Sequence, residues 1–332
     1  TGIGALIVGV GELLAAALRG SLRWRKAAKR SAAGPAAPAA PSSRRAGVAG
    51  IATESAVGSL AGTLNNKENS MAVARYKQAL TLTEHAPWAQ RFWDALVPLK
   101  DRVARHPLFV EMGDGSLSLG RFRDALLHFY PLVEHFPKYM GLALAKTRPG
   151  LYPGHEETKN WLIGNIKIEQ RHAYWYQDWA AGFGLDTERL EHTRPPAAMD
   201  AVNQFLWATG HQGTLEESIA ATNLAIEWAT GEWSQRVVSG MKHYAEQGSA
   251  NINRHTMAWL RAHASYDDAH PHEAMELVKR LAVDEPARQR AFAAAQRGLE
   301  YYVLALDDCY RFGEDRNEEA FPLLLDDPAD TQ

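Results

Sequence analysis

Two imidazoles and a carboxylate lie at helical spacing in the last third of the chain. His263, Asp267 and His270 occupy positions i, i+4 and i+7. Because an α-helix turns by about 100° per residue, these side chains lie within about 60° of one another and form one stripe. The neighbouring Asp268 lies about 140° from His263, outside the stripe. A buried cluster of this composition is difficult to satisfy without a metal ion, so the stripe predicts metal ligands.

Further carboxylates and an imidazole lie in other apolar segments. Glu169 and His172 have the i, i+3 spacing found in di-iron carboxylate bundles, although an isolated pair of this kind is usually a solvated, helix-stabilising pair. Glu227 and Glu134 each lie among bulky apolar residues, where a carboxylate needs a metal or a cation such as arginine. Together these groups form a set rich in oxygen and imidazole without thiolate. Such a set favours iron or manganese over structural zinc, and a carboxylate such as Glu227 could bridge two ions.

The elements that position these residues are predicted to be helices. From Met71 onward the apolar residues follow a helical period without strand alternation, which indicates an all-α fold. Pro131 and Pro137 should bend or interrupt the second helix. The sequence predicts a compact bundle of about seven long helices, over about 87–105, 118–146, 155–183, 197–209, 215–239, 251–268 and 286–312, with a shorter helix that begins at Pro271.

Composition divides the chain of 332 residues at Met71. Residues 1–70 hold 9 Lys and Arg against 3 Asp and Glu, a net charge of +6, and are rich in Ala, Gly, Ser and Pro. Such a segment cannot bury a core, so we interpret it as a disordered extension or an upstream stretch translated in frame with a start at Met71. Residues 1–18 are alternatively a short apolar anchor. Residues 71–332 are predicted to be a single catalytic domain.

Charge and cysteine content restrict the function of this domain. Residues 71–332 hold 27 Lys and Arg against 36 Asp and Glu, and this net charge of −9 argues against nucleic acid as a partner. Cys309 is the only cysteine, which excludes an internal disulfide and is typical of a reducing, cytoplasmic compartment. We expect Cys309 to be a small core residue.

The motifs around the predicted ligands resemble one family. The sequence is similar to the haem-oxygenase-like di-iron oxidases of the TenA/PqqC-like superfamily, and within them to the UndA group of iron-dependent decarboxylases. The similar stretches lie within residues 85–310 and include 161–172, 220–234 and 257–273. The resemblance implies a haem-oxygenase-like helical bundle. It also implies six metal ligands: Glu169, His172, Glu227, His263, Asp267 and His270.

The same resemblance implies an activity. Two Fe(II) ions and O₂ would decarboxylate a medium-chain fatty acid to a terminal alkene, with electrons from an external donor. Glu227 and Glu134, the latter near the second iron, would be catalytic. Aromatic stretches predict pocket walls, although such residues are more often plain core; the candidates are Phe129, Tyr130, Phe136, Tyr139, Trp175, Trp179 and Trp228.

The sequence leaves two alternative functions and the oligomeric state open. One alternative function is another oxidase or N-oxygenase of the same scaffold that acts on an amino acid or an amine. A pocket lined by Arg or Asp would favour that alternative, whereas an apolar pocket would favour a fatty acid. A second alternative is a non-catalytic ligand-binding bundle of the TenA type. A homodimer is compatible with either.

Overall fold

The computed structural model describes residues 80–266 and 269–312, and all regular structure in these residues is helical. This confirms the predicted all-α class. After an extended segment at 80–86 come the helices α1 Pro87–Ala104, α2 Pro107–Asp114, α3 Leu119–Ala145, α4 His155–Gly182, α5 Thr187–His192, α6 Ala197–Gln212, α7 Leu215–Ile219, the π-helix Ala220–Ile226, α8 Glu227–Glu246, α9 Ala258–Tyr266, α10 His270–Leu281 and α11 Glu285–Phe312. The predicted extension at 1–70 and its possible anchor lie outside the described residues.

Capping side chains explain why several helices begin where the sequence predicts. The Ser118 hydroxyl accepts a hydrogen bond from the Arg121 N–H at the start of α3. Thr214 and Glu217 form a reciprocal capping box at the start of α7. Each cap satisfies backbone N–H groups that have no partner within the first turn, so the start of the helix is encoded locally.

α3 contains two prolines but remains one helix of 27 residues. Pro131 and Pro137 each remove one backbone N–H from the helical ladder. α3 nevertheless passes through both positions, and residues on either side, among them Leu126 and Tyr139, are buried in the core. Tertiary packing outweighs the local cost here, so of the two predicted outcomes the interruption is wrong, whereas the bend stays a prediction.

α9 begins later than the sequence predicts. Residues 251–257 form turns instead of the first turns of the predicted helix 251–268. The Asn253 side-chain oxygen accepts hydrogen bonds from the backbone N–H groups of His255 and Thr256, and the Thr256 hydroxyl donates to the Asn251 carbonyl. Asn side chains that bond to nearby backbone in this way compete with helical hydrogen bonding, which explains the delayed start.

The π-helix lies inside one continuous helical stretch formed by α7, the π-helix and α8. All seven of its residues are buried, and it ends immediately before Glu227. Single π-helical segments within α-helices occur often at functional sites. The sequence did not predict this segment.

The core joins the helices around a long row of aromatic rings. The Phe122 and Phe183 rings stack with centroids 4.2 Å apart, and the Trp179 and Trp259 rings stack with centroids 5.3 Å apart, which ties α3, α4 and α9 together.

None of the helices in the described ranges has the length and apolar character that crossing a bilayer requires.

Candidate metal centre

Three of the predicted ligands meet at one point in the core. Glu169 and His172 project from α4, and His263 projects from α9. One ligand atom from each lies within 4.8 Å of the other two, and all three residues are buried. His172 Nδ1 donates a hydrogen bond to Glu169 Oε2 at 3.0 Å. A cation placed among these atoms would contact one carboxylate and two imidazoles.

The electrostatics of this triad prepare it to bind a cation. Burial, with a smaller contribution from the nearby His172, lowers the pKa of His263 to about 3, so His263 is neutral at physiological pH. His263 Nδ1 donates to the Trp259 carbonyl at 2.9 Å, which leaves Nε2 as the basic nitrogen. Burial alone would raise the pKa of Glu169, but the adjacent His172 and His263 bring it below its ordinary value. The carboxylate is therefore ionised.

A second carboxylate and imidazole face each other nearby. Glu227 is the first residue of α8, His270 is the first residue of α10, and both are buried. His270 Nδ1 lies 4.0 Å from Glu227 Oε1. His270 is close enough to Glu169 and His263 to influence the pKa of each. Five of the predicted ligands thus lie in one buried region.

The structure does not add the other two predicted acidic residues to this region. Asp267 lies outside the described residues. His263 and His270 belong to two helices, α9 and α10, so the predicted single-helix stripe is replaced by two helix ends. Glu134 is about one-third exposed and forms ion pairs with Lys138 at 2.6 Å and with His135 at 3.2 Å. The structure does not bring Glu134 into the buried region, and we leave it out of the candidate site.

An apolar cavity adjoins the triad. Glu169, Glu227 and His263 line it, and apart from Thr230 its other walls are aromatic and aliphatic side chains from α2, α3, α4, the π-helix, α8, α9 and α11. Arg, Lys and Asp are absent from its described lining. The charged groups of this cavity are therefore confined to the candidate metal ligands.

The predicted pocket aromatics divide into two groups. Phe129, Phe136 and Trp179 line the cavity. The other four lie outside its described lining: Tyr130 accepts a hydrogen bond from Gln177, Tyr139 donates to Asn203, Trp175 packs beside His172, and Trp228 packs on Trp93 with ring centroids 3.9 Å apart. The placement of these four residues agrees better with the alternative that they are core residues than with a place in the cavity wall.

Sequence reasoning missed several cavity residues. Trp259 contacts the His263 ring with centroids 4.0 Å apart, and its i, i+4 spacing from His263 was a usable signal. Trp233 donates from its indole N–H to the Tyr302 hydroxyl at 3.0 Å. Phe109 and Met112 come from the short helix α2, which the helical pattern did not predict.

The donor set fits iron. One carboxylate and two imidazoles that leave further coordination positions open are the ligand type of non-haem Fe(II) oxygenases. The buried carboxylate Glu169 and the neutral imidazole His263 are in the protonation states that metal binding requires. Glu227 and His270 supply the donors that a second ion would use.

Comparison with known proteins agrees with this donor set. The model of a family described as an iron-containing redox enzyme matches residues 123–303, more than half of the chain. The chain belongs to this iron-containing redox enzyme family. The matched range contains the triad as well as Glu227 and His270. None of the curated proteins matches the chain.

Solved structures show the same fold. A TenA homologue from Pseudomonas syringae pv. tomato DC3000 is 32% identical, with a TM-score of 0.64, and the match covers 70% of this chain and all of that one. A Shewanella denitrificans OS217 domain of unknown function with a haem-oxygenase-like fold is 16% identical, with a TM-score of 0.57 and coverage of 68% and 93%. A putative TenA-like thiaminase from Sulfolobus solfataricus P2 is 14% identical, with a TM-score of 0.51 and coverage of 69% and 98%. The last two similarities establish the fold alone.

Proposed function

We propose that this iron-containing redox enzyme is a non-haem iron oxidase that uses O₂ to decarboxylate a medium-chain fatty acid to a terminal alkene. The observation that supports the proposal is the apolar cavity, whose charged lining residues are the candidate ligands Glu169, Glu227 and His263. A fatty acid has this distribution of polarity, with one carboxylate at the end of an apolar chain. A free amino acid would leave its second charge without a counter-ion on the apolar walls.

Each part of the cavity has a function in this proposal. Glu169, His172 and His263 would hold one iron ion, and Glu227 with His270 would contribute to a second. The iron supplies the reaction with O₂ when it is bound. The protein's own contribution is to bury the alkyl chain, to exclude water, and to keep the carbon next to the α-carbon near the ligand cluster.

The overall reaction balances with an external donor. The fatty acid loses one hydrogen from the β-carbon and the carboxyl group as CO₂, and a double bond forms between the α- and β-carbons. This step releases two electrons and two protons, whereas reduction of O₂ to two waters consumes four of each. The donor therefore supplies two electrons, and the solvent supplies two protons.

The experiment is to incubate the iron-loaded protein with dodecanoic acid, O₂ and a reductant. We expect 1-undecene in the headspace by gas chromatography, together with one CO₂ for each alkene. His263→Ala should remove both products, since it deletes a ligand. His255→Ala is the matched control, because the His255 side chain is 75% exposed and pairs with Asp178 away from the cavity.

Two results would contradict the proposal. Iron-dependent O₂ uptake with dodecanoic acid but without alkene would reject decarboxylation and retain the oxidase. Absence of iron from protein prepared with added Fe(II) would reject the oxidase and favour a ligand-binding bundle.

One observation favours a second candidate function. The indole N–H groups of Trp179 and Trp259 are buried in the cavity wall without a hydrogen-bond acceptor among the described residues. A substrate that carries oxygen acceptors along its chain, such as an amino acid with a polar side chain, would provide acceptors for these donors. A screen of O₂ uptake with fatty acids, amino acids and amines distinguishes the two candidates.

A further inference from the structure

The cavity runs alongside two helices from the candidate ligands toward α2. On α4 the lining residues extend from Glu169 to Trp179, ten residues that advance by about 15 Å. On α3 they extend from Ala125 to Phe136, eleven residues that advance by about 16 Å. Both sets of lining residues therefore run along the helix axes.

α2 lies at the end of the cavity that is remote from the ligands. Its carbonyl at Met112 packs against Gly240 of α8. Gly240 follows Glu227 by thirteen residues, or about 20 Å along the helix. The side chains of Phe109 and Met112 line the cavity from this end. Neither residue is more than 3% exposed, so α2 separates the cavity from solvent.

Close packing fixes the position of α2. A Cβ atom added to Gly240 would lie 2.8 Å from the carbonyl carbon and oxygen of Gly113, and one added to Gly113 would lie 2.9 Å from the Arg236 carbonyl oxygen. The backbones of α2 and α8 therefore touch directly. Phe109 also stacks on Trp233 with ring centroids 4.3 Å apart and an interplanar angle of 6°. These contacts hold α2 as a fixed wall.

We propose that α2 is the end wall of the substrate cavity and that Met112 and Phe109 set the longest chain that the enzyme accepts. This inference rests on the proposed fatty acid substrate. A chain that starts at the candidate ligands ends against these two side chains, so shortening either side chain should admit a longer acid.

Removal of the Met112 side chain should lengthen the accepted chain. Met112→Ala deletes three heavy atoms in line with the cavity, so we expect the preferred acid to lengthen by two to four carbons. Each methylene that moves from water into apolar contact raises affinity about fourfold. An acid whose chain ends against Met112 in the unmodified protein should lose affinity by about fourfold or more in Met112→Ala, because its last methylene loses that contact.

The experiment measures binding of even-chain acids from eight to eighteen carbons to the Fe(II)-loaded protein without O₂, by displacement of a fluorescent fatty acid. Leu108→Ala is the matched control, because Leu108 is buried on the same helix but lies outside the described cavity lining. Its chain-length profile should match that of the unmodified protein even if it lowers stability. An unchanged profile in Met112→Ala, or an equal change in Leu108→Ala, would overturn the inference.

The inference and the proposed function fail in different ways. A longer preferred chain in Met112→Ala without alkene production by any variant supports the end wall and rejects decarboxylation. Alkene production by the unmodified protein, with the same product lengths in Met112→Ala, supports decarboxylation and rejects the end wall. Lack of binding of every straight-chain acid to the unmodified protein would overturn both.

Discussion

The contact between α2 and α8 makes Gly240→Ala a demanding test of the packing. The added Cβ would lie 2.8 Å from two backbone atoms of Gly113, whereas ordinary contact begins near 3.4 Å. The helices must therefore separate by more than about 0.6 Å, because the added Cβ would lie closer still to the Met112 carbonyl oxygen. Overpacking of this kind costs about 1 to 3 kcal/mol, and the clash with backbone atoms on a second helix places Gly240 toward the upper value. The gain of about 0.5 to 1 kcal/mol from Gly to Ala in a helix offsets part of this cost.

A net loss of about 2 kcal/mol lowers the Tm of a domain of this size by about 4 to 8 °C. The assay is thermal unfolding followed by circular dichroism at 222 nm. Gly141→Ala is the matched control, because Gly141 lies inside α3 and its added Cβ would meet no atom within 4 Å. That variant should keep or raise the Tm. A Gly240→Ala protein that melts at or above the unmodified protein would refute the packing argument, as would equal losses in both variants.

Three further predictions concern other parts of the protein. His263→Ala should lower the iron bound per chain, measured by inductively coupled plasma mass spectrometry, whereas His255→Ala should not. Burial would raise the pKa of Glu276, but hydrogen bonds from Lys279 and from the backbone of Thr83 lower it to about 2. The stability of up to about 3 kcal/mol that this carboxylate contributes is present above its ordinary pKa of 4.5 and is lost between about pH 4.5 and 2; urea titrations should therefore show Glu276→Gln less stable at pH 7 and equal at pH 2. Burial raises the pKa of the Cys309 thiol, so iodoacetamide at pH 8 should label it only after unfolding, and rapid labelling of the native protein would contradict its burial.

The sequence predicted helix positions well where local signals agree with packing. α1, α3, α4 and α11 begin and end within about two residues of the prediction, because proline, glycine and capping residues mark their ends. The prediction was wrong at 251–257, where Asn253 replaces a helical turn by side-chain hydrogen bonds to the backbone. The π-helix has no such local signature, since it depends on how neighbouring helices pack against a buried segment.

For the candidate site, residue type and spacing identified Glu169, His172 and His263, which the structure brings together. Apolar neighbours in the sequence did not show on which side of its helix Glu134 lies. The cavity-lining residues of α3 cover an arc of about 120°, and at about 100° per residue Glu134 lies about 140° from its centre. Trp228 lies about 170° from the centre of the corresponding arc on α8, by the same calculation. The direction of each arc is set by tertiary packing, which the sequence of a single helix does not specify.

The central claim is that Glu169, His172 and His263 bind iron. The most direct measurement is a crystal structure of protein loaded anaerobically with Fe(II), with anomalous diffraction collected on both sides of the iron absorption edge. We expect a difference peak within about 2.3 Å of one ligand atom from each of the three residues. A peak bound elsewhere, or its absence in crystals that contain stoichiometric iron, would contradict it.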